Sequence, residues 1–342
     1  MDHPWVLEPP PVPDWRKPLL ATLADGEYHT AERLGLGVGL GRSALGQRVK
    51  QLQTLGVAVC ATVGRGYQIA GGLDLLDEDK IWAALHPTEV GALRSLEVHL
   101  TLDSTSRYLL DYARQGGRGP CACLAEYQTM GRGRRGDKWV SPFASGLCLS
   151  LLWPFERNPS HLAGLSLAVG VTIAEALEAF GVDGVGVKWP NDLHWSGRKL
   201  AGVLIELVGK GGSPTHCVIG VGLNVRVPEA AAQARDTIDQ PWVDLAATGC
   251  ALLSRNHLAA LLLARLMGAL RRFDVAGFTP FLPAWRRRDV LAGRSLMVQQ
   301  ADGQLVRGVG GGVNEGGALV LADDGRTHLI TSGQVRIADG NR

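Results

Sequence analysis

Hydrophobic positions change their period twice along the chain. Between residues 15 and 71 they recur at helical spacing in short blocks and predict helices over 16–23, 30–36 and 42–55, followed by short strands over 58–63 and 66–70. The third helix gathers Leu45, Val49, Leu52 and Leu55 on one face and leaves Arg42, Gln47, Arg48, Lys50 and Gln51 elsewhere. That order is the order of a winged helix-turn-helix, with Gly64-Arg65-Gly66-Tyr67 at the tip of the wing, where Arg65 reaches a phosphate or a narrow minor groove. Gly46 inside the third helix costs roughly 1 kcal/mol against alanine, and Gly41 stands where Ser or Thr caps better. A small helical docking module is the plainer alternative.

From residue 72 to 280 the two periods mix. Leu165, Val169, Ile173, Leu177 and Phe180 lie at helical spacing and predict a buried core helix, and 258–273 predicts another. Strand-like runs occur at 147–153, 184–189, 200–208 and 217–225. Beyond residue 281 the pattern becomes short strands, 295–300, 304–309, 318–322 and 328–337, separated by Ala-Asp-Gly, Asn-Glu-Gly-Gly and Asp-Asp-Gly turns. The expected fold class is α+β: a mixed α/β catalytic core at 72–280, an N-terminal winged helix-turn-helix at 15–71 and a small SH3-like β-barrel at 281–342. Residues 1–14, with prolines at 4, 9, 10, 11 and 13, predict a mobile tail outside the fold.

Composition narrows the class. With 342 residues and 46% hydrophobic positions the chain can bury a large core in two or three domains. No apolar run reaches the roughly 18 residues of a membrane span and the N-terminus has no signal-peptide pattern, so the expectation is a cytoplasmic protein with no membrane partner. The six cysteines form no CxxC pair and the nine histidines no HExxH, which points away from a zinc site or a disulfide framework. Net charge is only +2, but no Asp or Glu occurs between Arg33 and Gly72, where Arg42, Arg48, Lys50 and Arg65 fall.

The chemistry concentrates in two stretches. Gly131-Arg-Gly-Arg-Arg-Gly136 joins glycines to three guanidiniums, and Lys138-Trp139 follow. The string satisfies GxGxxG, yet a dinucleotide fingerprint must open a helix, and Asp137-Lys-Trp-Val-Ser-Pro142 does not. The loop instead brings Arg132, Arg134 and Arg135 to an anion. A second stretch, Lys188-Trp-Pro-Asn-Asp192 with Lys199-Leu-Ala-Gly202, adds charge where two strand-like runs meet.

Gln128-Thr-Met-Gly-Arg-Gly-Arg-Arg-Gly-Asp-Lys-Trp139, Lys188-Trp-Pro-Asn-Asp192 and Lys199-Leu-Ala-Gly202 resemble the signatures of biotin protein ligases. Asp103-Ser-Thr105 and Val218-Ile-Gly-Val-Gly-Leu-Asn224 are similar to two further elements of that family, and the resemblance, running from about residue 15 to 337, is nearest to the bifunctional bacterial form that also represses the biotin operon. It implies ATP and Mg²⁺ as cofactors, biotin as substrate, and biotinyl-5′-AMP as intermediate. The implied partners are the biotin carboxyl carrier protein, a subunit of acetyl-CoA carboxylase, and operator DNA bound by a ligand-promoted homodimer. Implied biotin contacts are Ser104, Thr105, Ser106, Gln128, Gly131, Arg132, Gly133, Arg134, Lys199 and Gly202. Implied nucleotide contacts are Arg134, Arg135, Trp139, Asn191, Lys199 and Asn224. The chemistry falls to Arg132, Arg134 and Lys199, which cancel the repulsion between a carboxylate and a phosphate, and to Asp192, which orients or deprotonates the carrier amine or helps hold the metal. The DNA contacts are Arg42, Gln47, Arg48, Lys50 and Arg65. Ser106 replaces the family's usual Asn and Asp137 stands where a basic residue is common. Alternatives are a lipoate ligase, a monofunctional biotin ligase with a vestigial wing, and a sensor without catalysis.

Overall fold

The computed structural model describes residues 15–209, 214–227, 240–250, 254–300 and 302–338, so the expected tail at 1–14 lies outside the described residues. The chain divides between Leu75 and Leu76 into two compact units.

In the first unit, α1 (Arg16–Leu23), α2 (Ala31–Val38) and α3 (Arg42–Thr54) enclose Leu19, Leu20, Leu23, Leu45 and Leu52, all fully buried. Thr30 is the cap of α2 rather than its first residue, accepting from the Arg33 amide at 3.3 Å. Gly41 caps α3 with no side-chain bond. The strands β1 (Val59–Thr62) and β2 (Gly66–Ile69) form an antiparallel wing, and His29 bridges to Tyr67 as a third, single-residue rung. Gly66 has φ +101° and a Cβ there would lie 2.1 Å from the His29 carbonyl oxygen, so only glycine fits.

The second unit is built on a seven-stranded sheet in the order β3-β4-β5-β9-β8-β7-β6. Its strands are β3 (Ser95–Leu102), β4 (Cys121–Gln128), β5 (Gly146–Phe155), β6 (Gly186–Lys188), β7 (Asp192–Trp195), β8 (Arg198–Val208) and β9 (Thr215–Asn224). Only β3 and β4 run parallel, joined through α6 (Thr105–Arg114); α4 (Glu78–Ala84) and α5 (Pro87–Val90) precede them. The pattern of hydrophobic positions did not announce β3, β4 or α6. The reason for β4 is burial on both faces: Cys121 and Cys123 pack with Leu109 and Leu110 of α6, while Ala122 and Leu124 enter the main core. The main core contains α7 (Leu165–Ala179), as expected, packed against α8 (Arg255–Ala276). The stretch from Pro159 to Ala179 is long and apolar enough by length and composition alone to cross a membrane, but its helical part, α7, is buried in this core. Arg255, 3% exposed, pairs with the buried Glu126 at 2.7 Å and donates to the Gly146 carbonyl, while Glu126 also accepts from the Leu76 amide. With each charge met by hydrogen bonds, the pair fixes the start of the unit to β4, β5 and α8.

Beyond α9 (Leu282–Arg288), a short helix ahead of the first expected strand, an antiparallel five-stranded sheet follows in the order β13-β12-β11-β10-β14. Its strands are β10 (Ser295–Gln299), β11 (Leu305–Val313), β12 (Leu319–Asp323), β13 (Arg326–Ile330) and β14 (Gln334–Ile337). The expected single strand over 328–337 is two strands on opposite edges. The chain leaves β13 at Ile330 and returns as β14 beside β10, and at Gly333 a Cβ would lie 2.8 Å from Val298.

Candidate active site

A cleft of about 1080 Å³ opens on the α6 side of the large sheet. Its floor is set by register. One cross-strand row runs Cys148, Gly222, Gly202, Asp192, Lys188, and the next places Ser150 beside Gly220 and Gly220 beside Leu204. Side chains in one row share a face, so the two glycines leave a bare patch between a thiol end and a charged end.

At one end, hydroxyls and an amide form a closed network. Ser104 caps α6, and Thr105 gives both its amide (2.8 Å) and its hydroxyl (3.2 Å) to Gln128 Oε1. The Thr105 hydroxyl also bonds Ser150 at 2.8 Å, and Ser150 bonds Ser106 at 3.0 Å. Gly220 is required here, because a Cβ would sit 2.5 Å from Ser106 Oγ. With Gln128 Oε1 already accepting, its Nε2 is left to donate toward a neutral polar ligand.

At the other end, cations collect. The arginine loop is a closed hairpin rather than a loose glycine strand: Gly133 donates to Asp137 at 2.7 Å, Trp139 to Gly131 at 2.9 Å, and Arg132 bridges Lys138. Arg135 and Gly136 take positive φ at its tip. Arg132 pairs with Glu206 of β8 at 3.0 Å, and Arg134 donates to Asn191 at 3.3 Å. Burial, and then the neighbouring Arg135, hold the Arg134 guanidinium below its ordinary pKa. Lys199 pairs with Asp192 at 2.8 Å, its ammonium 5.9 Å from the Trp139 ring centre. The Trp139 indole covers the bare patch, since Cβ atoms at Gly222 and Gly202 would lie 2.4 and 3.5 Å from its ring, and its Nε1 is buried with no hydrogen-bond partner among the described residues.

Thirteen expected site residues thus line one cleft: Ser104, Thr105, Ser106, Gln128, Arg132, Gly133, Arg134, Arg135, Trp139, Asn191, Asp192, Lys199 and Gly202. Gly131 does not; it is buried, and a Cβ there would strike the Trp139 carbonyl at 2.3 Å, so it shapes the loop. Asn224 does not either. It ends β9 buried and donates to the Val243 carbonyl at 2.9 Å. Asp192 is engaged by Lys199, and among the described residues no group of three His, Cys, Asp or Glu could hold a metal, so the expected metal contact of Asp192 finds no protein cage. Sequence reasoning missed Ser150, a polar residue in an otherwise apolar strand, and Glu206. It also missed Lys188, which stood within a motif already singled out, and Gln334 and Arg336 of β14, which reach the cleft from the far end of the chain.

The expected DNA contacts all lie in the first unit. Gln47, Lys50, Arg42 and Arg65 are exposed. Arg42 pairs with Glu32, Arg48 donates to Gln51 at 3.0 Å and lies 4.8 Å over Trp15, and Arg65 lies 4.0 Å over Tyr28.

Residues 98–224, spanning β3 to β9 and most of the cleft, match the biotin/lipoate A/B protein ligase family. The chain is 41% identical over 93% of its length to the bifunctional ligase/repressor BirA of Salmonella typhimurium, covering 96% of that relative, and 38% identical over 95% of its length to its Escherichia coli counterpart, covering 97%. Among solved structures it is similar to the biotin protein ligase from Aquifex aeolicus in complex with biotin and ATP: TM-score 0.59, 26% identity, 72% of this chain and all of that one. The chain belongs to the biotin/lipoate A/B protein ligase family. Its full-length relatives in that family are bifunctional ligase/repressors.

Proposed function

We propose that the protein is an ATP-dependent biotin protein ligase that forms biotinyl-5′-AMP and passes biotin to a lysine of the biotin carboxyl carrier protein. One observation carries the reading: a neutral hydrogen-bonding network and a cluster of cations stand at opposite ends of one cleft. Biotin has the matching halves, an uncharged bicyclic urea and an aliphatic carboxylate. Gln128 Nε2 and the Thr105–Ser150–Ser106 hydroxyls take the urea, and the apolar Trp139 face covers the chain.

In the first step a biotin carboxylate oxygen attacks the α-phosphorus of ATP, the bond from that phosphorus to the bridging oxygen breaks, and pyrophosphate leaves with the electron pair. Arg132, Arg134 and Lys199 offset the repulsion between the two anions, and fixed cations in a partly dry cleft cost no reorganisation. Mg²⁺ would enter with ATP as part of the substrate, and Asp192, a carboxylate lining the cleft, would add a protein ligand to it. In the second step the carrier amine attacks the acyl carbon, the acyl–oxygen bond breaks and AMP leaves. Asp192 takes the amine proton once Lys199 has moved onto phosphate.

The first unit supports a second activity, repression through operator DNA by a two-fold dimer that places one α3 in each half-site. A cytoplasmic enzyme fits both activities. The test of the ligase reading is incubation with MgATP and a carrier domain, read by mass spectrometry. A single carrier lysine gains a biotinyl group; a lipoyl group in its place moves the assignment to lipoate, and no modification with either acid favours a sensor.

A further inference from the structure

We propose that Glu97 and Tyr108 are positioning residues for the acid substrate: the bond between them sets where the first turn of α6 presents Thr105 and Ser106 to the uncharged end of the ligand. The inference rests on the ligase reading. The two residues stand outside the cleft, on β3 and one turn into α6. The Tyr108 hydroxyl donates to Glu97 Oε2 at 2.6 Å, and His99, two residues along β3, reaches the same oxygen through Nε2 at 3.2 Å. A carboxylate only accepts, so that His99 nitrogen carries the proton. The His99 and Tyr108 rings also meet, their centres 4.9 Å apart. The His99 bond outweighs burial and, with the Tyr108 bond, holds the Glu97 carboxyl below its usual pKa; burial and then Glu97 raise that of the Tyr108 hydroxyl. The pair therefore stays a phenol donating to a carboxylate, a charge-assisted bond.

Sheet register turns this bond into a second anchor. Glu97 lies beside Cys123, Cys123 beside Ser150 and Ser150 beside Gly220, one row on the α6 face of the sheet. Ser150 holds the helix through Thr105 and Ser106 at 2.8 and 3.0 Å, and Glu97, two strands and about 10 Å away, holds it through Tyr108. Between them Leu109 and Leu110 rest on Cys121, Cys123, Leu152 and Val218, an apolar seat whose attraction has no direction. Such a seat lets the helix roll, whereas bonds on both of its flanks do not. Hydroxyls that meet a ligand must be held to about 0.5 Å, and a supporting hydrogen bond outside the site supplies that precision.

The test compares wild type with Tyr108→Phe, which keeps the ring and removes the bond, and Glu97→Gln, whose amide oxygen still accepts. In Tyr108→Phe, biotin binding read by calorimetry weakens about tenfold, the size of one lost charge-assisted bond. Glu97→Gln weakens it less. With biotin saturating, the KM for ATP and the kcat of pyrophosphate exchange keep their wild-type values, because the cation end of the cleft is untouched. Amide exchange in the ligand-free Tyr108→Phe protein quickens over the first turn of α6 and not over α7. The proposal is overturned if Tyr108→Phe binds biotin like wild type, or if biotin affinity and the KM for ATP deteriorate together, which marks a general loosening of the fold. Should wild type bind lipoate and not biotin, the ligase reading fails separately and the tenfold loss is read with lipoate. If wild type binds neither acid, amide exchange decides, and exchange over α6 that matches wild type overturns the proposal.

Discussion

The cleft of the second unit and the helix–wing surface of the first are both rich in cations, and they hold them differently. In the cleft, Lys188, Arg134 and Lys199 are partly withdrawn from water, and strand register brings Lys188 and Asp192 side by side. On the first unit, Arg42, Lys50 and Arg65 stand in solvent, and Arg42 and Arg65 are occupied by Glu32 and Tyr28. A buried cation implies a bound anion because its desolvation must be offset; an exposed one costs little to keep and says little about what it meets. The same residue types therefore carry a strong functional statement in one region and a weak one in the other.

The contrast is broken most severely by Lys199→Ala, which lowers biotin-dependent adenylation about 10²- to 10³-fold in a single-turnover assay. Next is Gly222→Ala. A Cβ 2.4 Å from the Trp139 ring forces the indole off the floor, with a stability loss of about 2 kcal/mol in urea unfolding of the whole chain. A third test is pH. His194 is depressed from 6.5 to about 4, so it favours folding while neutral, above pH 6.5, and that contribution is lost as pH falls from 6.5 toward 4. By pH 5 the loss is about 2 kcal/mol at most, and His194→Gln flattens that part of the profile.

The first unit answers more weakly. Gly46→Ala stabilises α3 by about 1 kcal/mol, since the new Cβ meets only the Tyr67 hydroxyl at 3.8 Å, an ordinary contact. Smallest of all, Arg42→Ala leaves the melting temperature unchanged, because its pair with Glu32 is fully in solvent.

The elements legible from the chain were those with a clear apolar period, such as α3, or a sustained apolar run, such as α7, β5 and β9. In α3, Leu45, Val49 and Leu52 are buried at the expected positions, and the wing strands differ from expectation only at their ends. Buried on both faces, β4 shows no alternation, and its Cys-Ala-Cys-Leu-Ala-Glu sequence is too small and mixed to read as an apolar run like those of β5 and β9, so it went unseen. The site divides likewise. Local strings announced the arginine loop and the Lys199 region, whereas Ser150 and Arg336 reach the cleft only through sheet pairing of distant segments. For Asn224 the chain alone gives no sign of its bond to the Val243 carbonyl, because a strand-ending Asn can turn to a ligand or to backbone. The loop glycines suggested looseness, while the Gly133–Asp137 and Gly131–Trp139 bonds close a hairpin.

The central claim is that the two ends of the cleft bind one acid and activate it with ATP. The most direct measurement is exchange of labelled pyrophosphate into ATP by the purified protein with Mg²⁺, comparing biotin, lipoate and no acid, with Arg134→Ala alongside. Exchange that requires biotin and disappears in Arg134→Ala is the predicted result; exchange driven by lipoate alone, or none with either acid, contradicts it.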